Sequence, residues 1–251
     1  MFLTSYANAH QIAKATPFQE AECLHALFTK QPVEHFMPGQ PLFFEGDEAK
    51  HVFEVMEGTL RIFRIISDGR RVITGFLYAG DIVGVSLKER YLYSAEAIAP
   101  AKIRRLTRKA FDCAVAESDE LRPKVFSKVC DEMAAAQDQM VLLSCKSAEE
   151  RLCTFLHKHL QRTTTEGGRA AVIELPMTRQ DMADYLGLTI ETVSRSITKL
   201  IGKGVVSVAN PAARHLIKVE KPGALAQLAG DGDEYQEARR DLAVQGDRRR
   251  H

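Results

Sequence analysis

Between Phe36 and Leu106, apolar and polar positions alternate over short stretches rich in β-branched and aromatic residues, and glycine interrupts them at turn-like intervals. The alternation predicts strands over 41–45, 51–56, 59–67, 71–78, 94–98 and 102–106. Between them lie Glu45-Gly46-Asp47, Glu57-Gly58, Ser67-Asp68-Gly69-Arg70 and Ala79-Gly80-Asp81. Glycine and aspartate there supply the positive-φ and side-chain-bonded turns that hairpins need. Many short strands at this spacing predict an antiparallel barrel or roll.

From 118 to 144 the period changes. Glycine is absent, and Phe126, Val129, Met133, Ala136, Met140 and Leu143 recur at steps of three and four, a narrow heptad seam. Such a seam packs either on its own domain's core or on a copy of itself. The small Ala136 and the adaptable methionines favour the helix-to-helix dimer contact. A second helix is expected from Ser147, which with Glu150 has the Ser-x-x-Glu form of a capping box. It would bury Leu152, Phe155, Leu156 and Leu160 and fade over 163–168. An apolar run over 171–175, ended by Pro176, reads as a strand.

Met177 to Val206 carries the most information. A first short helix, N-capped by Thr178 and running through Tyr185, would bury Met182, Ala183 and Leu186, with Gly187 as its stop. Thr189 would cap a second helix whose inner face is Ile190, Val193, Ile197 and Leu200 and whose outer face is Glu191, Thr192, Ser194, Arg195, Thr198 and Lys199. Two short helices joined by a glycine turn form the DNA-binding helix-turn-helix. On the outer face, Arg195 has the fork that pairs with guanine O6 and N7, Glu191 can accept from cytosine N4, and Ser194 suits several base edges. Glu191 and Arg195 are four apart and can orient each other; the plainer alternative is a surface ion pair. Two strands, over 205–208 and 216–219, read as a wing joined through Asn210-Pro211. Lys203, Arg214, His215 and Lys218 are its expected phosphate contacts, and Thr178, Arg179, Thr189, Thr192, Thr198 and Lys199 are expected to touch the DNA backbone or support the reading head.

Domain limits follow: 1–117 for the N-terminal region and roll, 118–146 for the dimerisation helix, 147–222 for the winged helix-turn-helix, and 223–251 for a mobile, polar tail. The fold class is α+β. Net charge is +1, so charge alone singles out no partner, although 147–222 carries 11 Lys/Arg against 8 Asp/Glu. No apolar run spans a bilayer, and five scattered cysteines suit a reducing cytoplasm. Cys145 and Cys153 flank the helix junction and are candidate redox-sensitive thiols. His157 and His159, two apart on a helix, cannot chelate one ion, and no metal site, cofactor or catalytic constellation is expected.

The stretches "PLFFEGDEAKHVFEVMEGTLRIF", "DGRRVITGFLYAGDIVG" and "TRQDMADYLGLTIETVSRSITKL" resemble the Crp/Fnr superfamily of bacterial transcription regulators over roughly Phe36 to Val219. Glu191, Ser194 and Arg195 form the Glu-x-x-Ser-Arg arrangement of its Fnr/FixK side, and "YSAEAI" from Tyr93 to Ile98 adds to the resemblance to the FixK-like branch. The resemblance implies a cyclic-nucleotide-binding-like roll and a homodimer on a TTGA-like palindrome. It further implies RNA polymerase as a partner and activation in a low-oxygen or redox-linked programme. Two of its effectors are not expected. The cyclic-nucleotide cassette of the superfamily has Gly-Glu and Arg-Ser, where this chain has Gly84-Val85 and Tyr93-Ser94. The iron–sulfur members cluster cysteines near the N-terminus, where this chain has Cys23 alone, and Arg104 falls at their internal cysteine position. A regulator gated by haem, nitric oxide or another small molecule in the roll is the alternative.

Overall fold

The computed structural model describes residues 24–86, 88–164, 172–208 and 215–230. The first module runs β1 (Val33–Phe36), β2 (Pro41–Phe43), β3 (His51–Glu57), β4 (Leu60–Ile65), β5 (Arg71–Leu77), β6 (Ile82–Val83), β7 (Ser94–Ala97), β8 (Ala101–Thr107) and α1 (Arg108–Glu117). Two antiparallel sheets, β1-β8-β3-β6 and β2-β7-β4-β5, face each other as a roll. Their inward side chains, among them Phe43, Phe53, Val55, Leu60, Ala95 and Ile103, form one core. Gly58 turns β3 into β4 with φ of 90°, and a Cβ there would lie 2.3 Å from the Pro100 carbonyl oxygen, so only glycine fits. Strands β1 and β6 add to the six expected from the sequence, as does α1, N-capped by Thr107.

Helix α2 (Leu121–Cys145) is 25 residues long, and only Leu121 and Leu142 on it are buried. The seam is on its outside: Phe126 is 71% exposed, Met133 59% and Met140 60%, and Val129, Ala136 and Leu143 are exposed as well. In the single chain the seam therefore packs on no core of its own.

The last module runs α3 (Ala148–Thr164), β9 (Val172–Glu174), α4 (Arg179–Leu186), α5 (Ile190–Gly202), β10 (Val206–Val208), β11 (Leu216–Val219) and α6 (Pro222–Ala229). The reciprocal cap at the head of α3 is present: Ser147 N–H donates to Glu150 Oε2 at 2.7 Å. Strand β11 lies between β10 and β9, so the wing is part of a three-stranded sheet. The core gathers Leu152, Leu156, Met182, Leu186, Leu200 and Ile217, all fully buried. The expected tail from 223 is corrected here. Residues up to Ala229 form α6, which buries Leu225, Ala226 and Ala229, and Lys146 Nζ donates to the Ala229 carbonyl at 2.6 Å. The rest of that expected tail, 231–251, lies outside the described residues.

The two modules touch. From β5, Phe76 packs its ring 5.4 Å from that of Tyr185 on α4 and 6.2 Å from that of Phe155 on α3. Just beyond β5, the Tyr78 hydroxyl lies 2.7 Å from His159 Nε2, and the Arg162 guanidinium sits 4.3 Å over the Tyr78 ring. Beside these rings runs an ion cluster. Arg61 on β4 donates to Asp181 Oδ1 at 2.6 Å and to Glu96 at 3.0 Å, and Arg71 on β5 donates to Asp181 Oδ1 at 2.9 Å and to Asp184 Oδ2 at 2.8 Å.

Candidate nucleic-acid interface

The reading head is built from two caps and a glycine. Thr178 starts α4 with a capping box: its hydroxyl accepts from Asp181 N–H at 3.1 Å, while Asp181 Oδ2 accepts from Thr178 N–H at 3.0 Å. Gly187 ends α4 in the left-handed region at φ of 63°, with a virtual Cβ 3.2 Å from Leu143 Cδ2. Thr189 then caps α5 by accepting from Thr192 N–H at 3.2 Å. These hydroxyls hold helix ends, which makes Thr178 and Thr189 supporting residues. Thr198 likewise turns its hydroxyl back to the Ser194 carbonyl at 3.0 Å.

Helix α5 buries Val193, Ile197 and Leu200. Ile190, expected on that inner face, is 37% exposed, because at the first helical position it projects past the edge of the core. Glu191, Ser194 and Arg195 all face solvent on one side. No ion pair within 4 Å joins Glu191 to Arg195; the arginine instead reaches Thr192 Oγ1 at 3.4 Å. The backbone N–H of Glu191 and the Thr189 hydroxyl hold the Glu191 carboxyl below its usual range, with Arg195 adding a smaller contribution. At neutral pH it is an acceptor, as a cytosine amino group requires.

The surrounding cations have partners within the protein. Lys199 and Lys203 both reach the Glu149 carboxylate on α3, which they hold below the ordinary range. Lys218 pairs with Glu220 at 2.9 Å. Each would have to share or leave its carboxylate to meet a phosphate. In the single chain these lysines therefore already have carboxylate partners, and Glu149, which lies far away along the chain, was not readable as one of them. Arg179 is half-buried, with its guanidinium 3.2 Å from Met182 Sδ, and burial lowers its pKa. His215 is exposed, and its carbonyl accepts from Leu175 N–H at 2.9 Å. Arg214 and the Asn210-Pro211 turn lie outside the described residues.

Away from this face, the roll interior is filled by rings. Phe43 stacks on Tyr91 with centroids 3.8 Å apart, and Phe53 and Tyr93 lie within 5.8 Å of it. Tyr93, at the position where the resemblance puts a cassette arginine, packs its ring against Phe43, and burial pushes its pKa up to about 12. Of the two candidate redox thiols, Cys145 is exposed at the end of α2. Cys153 is buried in the core, and burial pushes its thiol up to about 12, so contrary to expectation it is not poised as a thiolate near neutral pH. Among the described residues no group of three or more His, Cys, Asp or Glu could hold a metal ion, and no helix is long and apolar enough to cross a membrane.

An exposed recognition helix on a winged helix-turn-helix, carried below a β-roll by a long helix, defines a DNA-binding transcription regulator. The Crp-like helix-turn-helix domain matches residues 150–228 and the cyclic nucleotide-binding domain matches 33–118. The nitrogen fixation regulation protein FixK of Bradyrhizobium diazoefficiens is 38% identical over 174 residues, 69% of this chain and 73% of that protein. The transcriptional activatory protein AadR of Rhodopseudomonas palustris is 40% identical over 167 residues, 65% and 68% respectively. The structure of FixK2 from Bradyrhizobium japonicum superposes with a TM-score of 0.73 at 30% identity, covering 79% of this chain and 96% of that one. The protein belongs to the Crp/Fnr family, on its FixK-like branch.

Proposed function

We propose that the protein acts as a homodimer, joined along the α2 seam, that reads a TTGA-like palindrome and activates transcription in a low-oxygen or redox-linked programme through RNA polymerase. The observation that carries this reading is the solvent-facing set Glu191, Ser194 and Arg195 on α5, held by capped helix ends and unencumbered by a mutual ion pair. The open apolar seam supports the dimer, since two reading heads must lie about 34 Å apart to enter successive turns of one DNA face. AadR is named as a transcriptional activatory protein, which favours activation. The ring-filled roll favours a regulator not gated by a cyclic nucleotide. Selection of bound duplexes from a random pool is the test. Two inverted TTGA-like half-sites are expected; a single asymmetric site or a direct repeat would overturn the proposal.

A further inference from the structure

A carboxylate buried to 1% exposure sits where the two modules meet, and both of its oxygens are in use. Oδ2 of Asp181 closes the capping box of α4 with Thr178. Oδ1 takes Arg61 and Arg71 from the neighbouring strands β4 and β5 of the roll. Arg71 is shared with Asp184, one helical turn further along α4. A buried carboxylate is tolerated only when paired and hydrogen-bonded. Two guanidinium forks from a rigid sheet fix direction as well as distance, because each delivers its N–H groups in one plane. The same α4 sets the angle of α5 through the Gly187 turn, and in the clasped pose the α5 reading face stays open to solvent.

We infer that Arg61 and Arg71 of the β-roll are positioning residues for DNA reading: with Asp181 and Asp184 they clasp each helix-turn-helix to its own roll, which sets the separation of the two heads in the dimer. The inference rests on the homodimeric, palindrome-reading proposal above. Its physical content is effective concentration. Once one head is bound, the second meets its half-site as a tethered group, and a fixed pose raises its local concentration at that one spacing. Freeing the heads lowers that concentration without changing the contacts either head makes with its own half-site.

The test compares the full-length protein on the selected palindrome and on a duplex bearing one half-site, by fluorescence anisotropy, with the dimer checked by sedimentation. Arg71→Glu is expected to lower the preference for the palindrome by about tenfold or more. It should leave half-site affinity unchanged and let the protein accept half-sites moved by a base pair. Pairing Arg71→Glu with Asp184→Arg restores the ion pair in reverse and is expected to recover most of the preference. If Arg71→Glu does not fold, Arg71→Gln makes the same comparison with a smaller expected loss. An unchanged or increased preference would overturn the clasp, as would equal losses on both duplexes, which mark a role in folding α4 only, or a charge swap that restores nothing. A wild-type protein without any palindrome preference would sink the dimeric reading and the clasp with it, whereas a preference that survives the Arg71 variants sinks the clasp alone.

Discussion

At the scale of single residues, the separation of base-reading from phosphate-neutralising groups is the point to test. Arg195 stands free of Glu191, so Arg195→Ala is expected to cost one to two decades of affinity on the specific site, in line with roughly 1–3 kcal/mol for a bidentate base contact. Affinity for random DNA should fall much less, because it comes from phosphate neutralisation; equal losses on the two would contradict the base-reading role. Glu149 makes the opposite case. Its carboxylate holds Lys199 and Lys203, so Glu149→Gln should free two cations, tighten specific and random binding together and steepen the salt dependence by about one to two in log–log slope. Unchanged slopes in a salt titration would show that neither lysine meets DNA. The outward orientation of Glu191, Ser194 and Arg195 was legible because helix spacing and local caps alone decide which way those side chains point. The state of the lysines was not, since their partner lies on another helix.

At the scale of elements, the exposed seam of α2 leads to a direct expectation. Replacing Met133 and Met140 with glutamate puts four charges into a self-paired apolar contact, and monomers are expected by sedimentation; an intact dimer would place the interface elsewhere. The roll supplies a second. With Phe43 stacked on Tyr91 and a buried phenol, Tyr93, where the resemblance puts the cassette arginine, calorimetric titration with cyclic AMP is expected to give no sub-millimolar binding and no gain in DNA affinity. The main strands, the long helix and the helix-turn-helix were readable because each carries a full period of its pattern. Those that were missed carry too little. Strand β6 has two residues, β1 is half exposed, and α1 buries only Phe111. Helix α6 packs through small alanines and opens on Pro222-Gly223, so its apolar stripe merges by eye with the polar residues after Gly230.

At the scale of the molecule, the junction between the modules was wholly illegible: Arg61 and Arg71 look like ordinary polar positions on alternating strands, and their partners lie over a hundred residues away. The same junction carries a pH dependence. His159 packs on Phe155 and takes the Tyr78 hydroxyl, and burial lowers its pKa to about 4. An unfolded histidine titrates near 6.5, so between that pH and about 4 the unfolded chain binds a proton that the folded one does not. Stability therefore falls as pH drops through this window, by up to about 3 kcal/mol from this group, and the contribution levels off below it. Thermal melts of His159→Phe are expected to be flatter over that range than those of the wild type; parallel curves would assign the loss to other groups. The placement of α6 has a further consequence, for the nascent chain. The roll completes its sheets with β8, and α1 and then α2, bearing the seam, follow it in the chain; the DNA-binding module cannot close until Leu225 and Ala229 have been synthesised and laid against α3. Through that interval a ribosome-bound chain presents an open α3 face beside a formed roll, and in the proposed dimer this order lets copies pair along α2 before either head is able to hold DNA.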